Sequence, residues 1–169
     1  MPWYNEMTNP EHIRPVIITA GIITVSSSRT KETDTSGKII QDLLTEANIP
    51  VIHYSIVTDQ IDAIREEIVC ALQSCNCIIV NGGTGLTHDD CTVEAATPLL
   101  EKQIDGFGEF FRHKSLAEIG TAAMLSRAIA GVTNGKAVFC IPGSNPAVRL
   151  ATKELILPEI RHIISHARR

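Results

Sequence analysis

Aromatic residues are scarce, at 4% of a 169-residue chain that is 44% hydrophobic overall, so any core must be built from Ile, Val, Leu and Ala. Dense Lys/Arg runs are missing as well, and 15 basic against 19 acidic residues leave a formal net charge of −4. Binding along a nucleic-acid backbone normally leaves a basic footprint, so nucleic acid is not an expected partner. No apolar run is long enough for a membrane helix: "VIITAGIITV", Val16 to Val25, is far shorter than the roughly 20 residues a bilayer requires. The segment before it, "MPWYNEMTNPEHIR", carries two glutamates and one arginine instead of the basic flank of an export signal. It reads as a polar N-terminal tail over residues 1–14, with no signal for export. The five cysteines contain no CxxC pair. Cys75 and Cys77 would share one face of a strand, where a metal or redox role is one reading; the plainer one makes all five reduced, small apolar residues of a cytoplasmic protein. Linkers, low-complexity tracts and internal repeats are also lacking, so residues 15–169 read as a single domain.

What is present is an alternation of short apolar runs with helical periodicity. Val16–Val25 reads as a first buried strand. Asp34, Thr35 or Ser36 can cap a helix through "GKIIQDLLTEAN", whose Ile39, Ile40, Leu43 and Leu44 give one apolar face. "PVIHYSIV" reads as a second strand and Asp59 as a candidate cap for "QIDAIREEIVCALQS". "CIIVN" is a third strand that runs into a glycine turn. Thr92 to Leu100 is expected to be helical. The glycines of "DGFGEFFRHK" are expected to interrupt the chain before a helix over "SLAEIGTAAMLSRAIAG". "KAVFCI" reads as a later strand ended by "PGSNP", and Ala147 to His166 as a closing helix with Pro158 as a break or second start. Strands separated by helices predict a three-layer α/β/α domain with a mostly parallel sheet. Ligands of such sheets bind at the carboxyl ends of the strands.

Several chemistry-bearing residues fall just after strands. Gly82, Gly83, Thr84 and Gly85 form a loop that permits positive φ and close approach of backbone amides to an anion, or simply a tight strand-to-helix turn. Neither a Walker lysine nor a GxGxxG pattern accompanies it. Asp89, Asp90 and Glu94 follow, suited to magnesium beside a phosphate or to helix capping. Asp59 occupies the same rim. Ser144, in "IPGSNPAVR", and the hydroxyls of "TDTSG", Thr33 to Gly37, are further candidates for phosphate contact. His162 and His166 lie four apart and read as a solvated helix face. Together the four strand-end loops point to an anionic, phosphorylated ligand with magnesium.

"GGTGLTHDDCTVEA", "GFGEFFR", "AMLSRAIAG" and "IPGSNPAV", with "TDTSG" and "VTD", occur in the order seen in the MoaB/MogA family of molybdenum cofactor biosynthesis, which this chain resembles over roughly residues 16 to 160. The continuous "TDTSG" and "GFGEFFR" segments are more similar to the MoaB branch. The resemblance implies a molybdopterin-binding α/β fold assembled as homotrimers or homohexamers. It also implies adenylylation of molybdopterin by Mg2+–ATP, in which the pterin's terminal phosphate attacks the α-phosphorus and pyrophosphate leaves. The alternative within the pathway is a non-catalytic molybdopterin-binding or carrier protein. By resemblance, Asp59 and Asp90 would be catalytic and metal-associated, Gly82 to Gly85 would hold nucleotide phosphate, and Ser36, Gly37, Ser126 and Ser144 would face the pterin or its phosphate. The chain departs from the pattern at Asp89, where a basic residue is common, at Ser26-Ser27, at Val93 and at Pro146.

Overall fold

The computed structural model describes residues 15–169; the polar segment 1–14 lies outside the described residues. Among the described residues, six strands form one sheet in the order β2-β1-β3-β6-β5-β4. These are β1 (Ala20–Val25), β2 (Val51–Val57), β3 (Cys77–Asn81), β4 (Lys102–Gln103), β5 (Ile129–Thr133) and β6 (Lys136–Ile141). The β2-β1-β3-β6 portion is parallel, and β5 and β4 add antiparallel to its edge.

Every residue of β1 and β3 is buried, as a parallel sheet covered on both faces requires. The two faces are told apart by side-chain alternation. Ile22, Cys77, Ile79, Ala137, Phe139 and Ile141 pack into one cluster, and Ile23, Ile78, Val80, Val138 and Cys140 into the other. The first face is covered by α1 (Thr35–Glu46), α4 (Asp105–Ile119), α5 (Asn145–Ala151) and α6 (Leu157–Ala167), through residues such as Ile40, Phe111, Val148 and Ile160. The second is covered by α2 (Ile61–Ala71) and α3 (Thr92–Ala96), through Ile64, Ile68, Ala95 and Ala96. This is the expected three-layer α/β/α arrangement.

Three local expectations are corrected. The first strand begins at Ala20, not Val16, because the Asn76 side chain takes the place of a ladder partner, accepting from Thr19 N at 3.0 Å and donating to the Ile17 carbonyl at 2.8 Å. The glycines of "DGFGEFFRHK" do not interrupt the chain; both lie inside α4. A Cβ on Gly108 would come within 2.6 Å of the Ala128 carbonyl, so this glycine lets the helix lie against the segment leading into β5. The helix expected over "SLAEIGTAAMLSRAIAG" is replaced by the end of α4, a 3-10 segment (Gly120–Leu125) and strand β5. The β5–β6 hairpin closes on Asn134-Gly135, with φ of 48° and 70°. An Asn-Gly pair with both φ positive suits a two-residue hairpin turn. Pro158 does open a second helical segment, and a π-helical stretch over Thr152–Ile156 separates α5 from α6.

Candidate functional site

The connections after β1 and β3 leave in opposite directions, α1 toward β2 on one side and α3 toward the β6 side, which makes the β1/β3 boundary a topological switch point. The glycine loop lies there. Gly82 and Gly83 have φ of 100° and 69°, and a Cβ on Gly82 would come within 2.5 Å of the Val25 carbonyl. Four successive carbonyls of this loop are taken by protein donors. Thr92 Oγ1 donates to Gly82 O at 2.7 Å, Thr92 N to Gly83 O at 3.0 Å, Arg127 N to Thr84 O at 3.1 Å and Arg127 Nε to Gly85 O at 2.8 Å. Turning the acceptors inward suits a loop that must tolerate negative charge on its outer side.

Arg127 holds the loop from a distant part of the chain. Besides Gly85 O, its guanidinium donates to Asp90 O at 3.0 Å and forms a two-pronged ion pair with Glu94. The hydrogen bond from Arg127 holds the Glu94 carboxyl below its ordinary range. Glu94 is therefore engaged by a cation and is not an open ligand.

Asp90 follows on the same loop. Burial would raise its pKa, but hydrogen bonds from the Thr87 hydroxyl and amide, at 2.7 and 2.9 Å, and from Gly85, with the charge of Arg127, outweigh this and keep the carboxyl below its usual value. Asp59 stands at the end of β2 and does not cap α2, whose N-cap is Gln60. Its Oδ2 instead accepts from Ser27 Oγ at 2.6 Å, which ties the ends of β2 and β1 together. The two aspartates share a neighbourhood. Burial, followed by the charges of Asp59, Glu94, Asp89 and Asp90, pushes the Cys91 thiol up. Asp89 itself is exposed, as is His88.

The third loop, after β6, packs directly on the first: a Cβ on Gly143 would lie 3.1 Å from Gly82 Cα. Arg29 ties it to the β1–α1 connection. Its Nη1 donates to Ser36 Oγ at 2.5 Å and its Nη2 to the Gly143 carbonyl at 3.3 Å, while Asp34 Oδ1 lies at 3.5 Å. Beneath it is a buried polar cluster. Asp34 caps α1 through Gly37 N and also accepts from Thr24 Oγ1 at 2.6 Å and Tyr54 OH at 2.5 Å. Burial alone would raise the Asp34 pKa, but the hydrogen bonds from Thr24, Tyr54, Gly37 and Ser36 overcome it and hold the carboxylate ionised. Asn81 completes the cluster through Ser36 Oγ at 2.8 Å and Thr24 Oγ1 at 2.9 Å.

The site residues read from the sequence therefore divide. Asp59, Asp90 and Gly82 to Gly85 converge on one rim, and Ser144 joins it as the N-cap of α5 through Ala147 N. Ser36 and Gly37 are buried, the first in the polar cluster and the second donating its amide to Asp34, so they support the loop from below. Ser126 sits beside Arg127 with a buried hydroxyl that has no protein partner. It lines a cavity of about 420 Å³ shared with Val93, Asp105, Arg112 and Arg127. Arg29 and Arg127 are the residues that sequence reasoning missed. Each stands next to a serine at a loop, in "SSRT" and "LSRA", which was the available signal. Among the described residues, no three His, Cys, Asp or Glu side chains converge as a metal cluster.

The fold and rim define a three-layer α/β protein whose glycine-rich and arginine-tied loops meet at a switch point. Residues 21–162 match the family described as "Probable molybdopterin binding domain". The chain is 46% identical over 165 residues to molybdenum cofactor biosynthesis protein B of Staphylococcus carnosus (strain TM300), covering 94% of this chain and 97% of that protein. A crystal structure of molybdenum cofactor biosynthesis protein B is similar with a TM-score of 0.87 at 45% identity, over 91% of this chain and 98% of the other. The tungsten cofactor synthesizing protein MoaB from Pyrococcus furiosus has a TM-score of 0.82 at 34% identity, over 92% and 100%. This chain belongs to the MoaB/MogA family of molybdenum cofactor biosynthesis.

Proposed function

We propose that the chain binds molybdopterin across the crevice where the loops after β1, β3 and β6 meet. The observation that carries this reading is Arg29, which links the β1 and β6 loops through Ser36 and Gly143 while its side chain stays one-third exposed. A guanidinium fixed in this way keeps further N–H donors for the pterin's phosphate. Anaerobic co-elution of molybdopterin with the purified protein is expected. Arg29→Ala should weaken retention by about ten- to a hundredfold, the size of a charge-assisted hydrogen bond of roughly 1.5–3 kcal/mol. Wild-type protein that retains no pterin would overturn the reading.

A second reading, adenylyl transfer from ATP, is favoured by Asp59 and Asp90, whose charges both reach Cys91 on the same rim. A pterin phosphate oxygen would bond to the α-phosphorus as the bond to the β,γ-pyrophosphate breaks. Magnesium binds through one or two carboxylates with phosphate and water oxygens completing its shell, a pattern that Asp59 and Asp90 fit. When bound it would neutralise charge on the triphosphate. The glycine loop would hold the nucleotide phosphates in line for attack. Pyrophosphate release that depends on pterin, ATP and Mg2+ and is lost in Asp90→Ala supports transfer. Pterin retention without pyrophosphate release assigns the chain to binding alone.

The same reading includes assembly into a homotrimer or homohexamer. Phe110, Leu116, Ile119, Met124 and Leu125 are exposed along α4 and the 3-10 segment after it, apolar surface that an assembly of identical chains would cover.

A further inference from the structure

Arg29 and Arg127 are tied to carboxylates and carbonyls, but two other cations beside the rim are not. Arg149 lies on α5, and Lys153 follows one turn later in the π-helical stretch. Both are exposed, and among the described residues neither side chain has a hydrogen bond or an ion pair. Like charges four apart repel each other on a helix, so this pair is favoured by an anion that lies between them. The two line a cavity of about 340 Å³ with Asn145, Glu118 and Glu154. Glu154 is already neutralised by Lys114, whose Nζ lies 2.8 Å from its Oε2. Glu118 is then the one acid set against Arg149 and Lys153, and the cavity keeps a surplus positive charge on a chain of net charge −4. Asn145 follows Ser144 at the rim, and its Oδ1 accepts from Thr35 Oγ1 at 2.9 Å. That bond uses the acceptor of the amide and leaves its NH2 group as a donor.

We propose that Arg149, Lys153 and Asn145 form a subsite for a tetrahedral oxyanion of the phosphate class, either a free ion or the phosphoryl end of a larger ligand. The guanidinium supplies a fork of N–H donors, the ammonium a compact charge and the amide a neutral donor. No bond is made or broken there; the subsite binds and holds. Glu118 limits its affinity by opposing the charge of the anion. The cavity lies along α5, outside the crevice between the β1, β3 and β6 loops, and does not depend on the pterin reading.

Calorimetric titration of the full chain with inorganic phosphate, and separately with ATP, tests it at low ionic strength, where exposed charges are least screened. The expected result is saturable uptake that Arg149→Gln and Lys153→Gln each weaken at least about tenfold while leaving the circular dichroism unchanged. Glu118→Gln should tighten it by about two- to fivefold, the size of one exposed charge interaction. Uptake at this cavity should persist in Arg29→Ala, which separates it from the pterin crevice. Added phosphate should raise the Tm of wild type more than that of the Arg149→Gln, Lys153→Gln double variant. Loss of phosphate uptake in these variants with ATP uptake unchanged assigns the cavity to the free ion. Loss of ATP uptake assigns it to the phosphoryl end of a larger ligand, and either result supports the site. No saturable uptake of either probe, or wild-type uptake of both in the two single variants, would overturn the proposal.

Discussion

Arg29 and Arg127 each act over long sequence separations. Arg127 reaches Gly85, Asp90 and Glu94 from 42, 37 and 33 residues away, and Arg29 reaches Gly143 from 114. The serine beside each arginine is the one local trace of such contacts, and it does not name the distant partners, whereas glycines and aspartates at strand ends are visible in the sequence itself. That is why the loop and both aspartates were legible and the arginines were not. Arg127→Ala leaves the Gly85 and Asp90 carbonyls and the Glu94 carboxylate without their donor. A loss of about 1–3 kcal/mol is expected in urea unfolding. Arg127→Lys should recover little of it, because one ammonium cannot span the same fork of partners. Asp34 gives a prediction in pH. Its carboxyl is held below its ordinary value in the folded protein, so the stability it adds is full above the unfolded pKa of about 3.9. That stability is lost as pH falls through the lower folded value. Asp34→Asn should therefore be less stable than wild type near neutrality, with the two urea midpoints converging below about pH 4.

At the scale of elements, the parallel half of the sheet was readable because its strands are short β-branched runs bounded by helices of clear period. The antiparallel half was not. "SRAIAG" is rich in alanine and reads as helix, yet Ile129–Thr133 is drawn into the sheet by the Asn134-Gly135 turn and by pairing with β6. Propensity yields to tertiary context there, and the Asn-Gly pair is the local signal that points to the hairpin. The glycines of α4 mislead for the opposite reason, since Gly108 is a packing residue and not a break. They make a matched test. A Cβ on Gly106 would meet nothing within 4 Å, while one on Gly108 would face the Ala128 carbonyl at 2.6 Å. Gly106→Ala should stabilise the protein by up to about 1 kcal/mol through helix propensity. Gly108→Ala should destabilise it by about 1–3 kcal/mol through overpacking. Thermal melts of the two variants that shifted in the same direction would contradict this account of α4.

For the molecule as a whole, the question is what covers the outer side of α4. Its inner side, with Phe107 and Phe111 buried, is core, yet Phe110 remains 62% exposed and Met124, just beyond, 74%. A chain with only four phenylalanines that leaves one of them on the surface, and exposes Leu116, Ile119 and Leu125 farther along the same stretch, has apolar area that water disfavours. A closed assembly of identical chains buries such a surface without adding an open edge. The face continues toward the functional rim, because the 3-10 segment that carries Met124 leads into Ser126 and Arg127, and Met124 itself lines the Ser126 cavity. Assembly and ligand binding are thus expected to be coupled. Light scattering of wild-type protein should give a trimer or hexamer, and Phe110→Asp with Met124→Asp should give a monomer of unchanged circular dichroism. Because Met124 lines the cavity of Ser126, the serine that the family resemblance turns toward the pterin, the same double variant should also bind molybdopterin more weakly. A wild-type monomer, or a double variant that assembles normally, would separate this face from assembly and leave the Ser126 cavity complete within one chain.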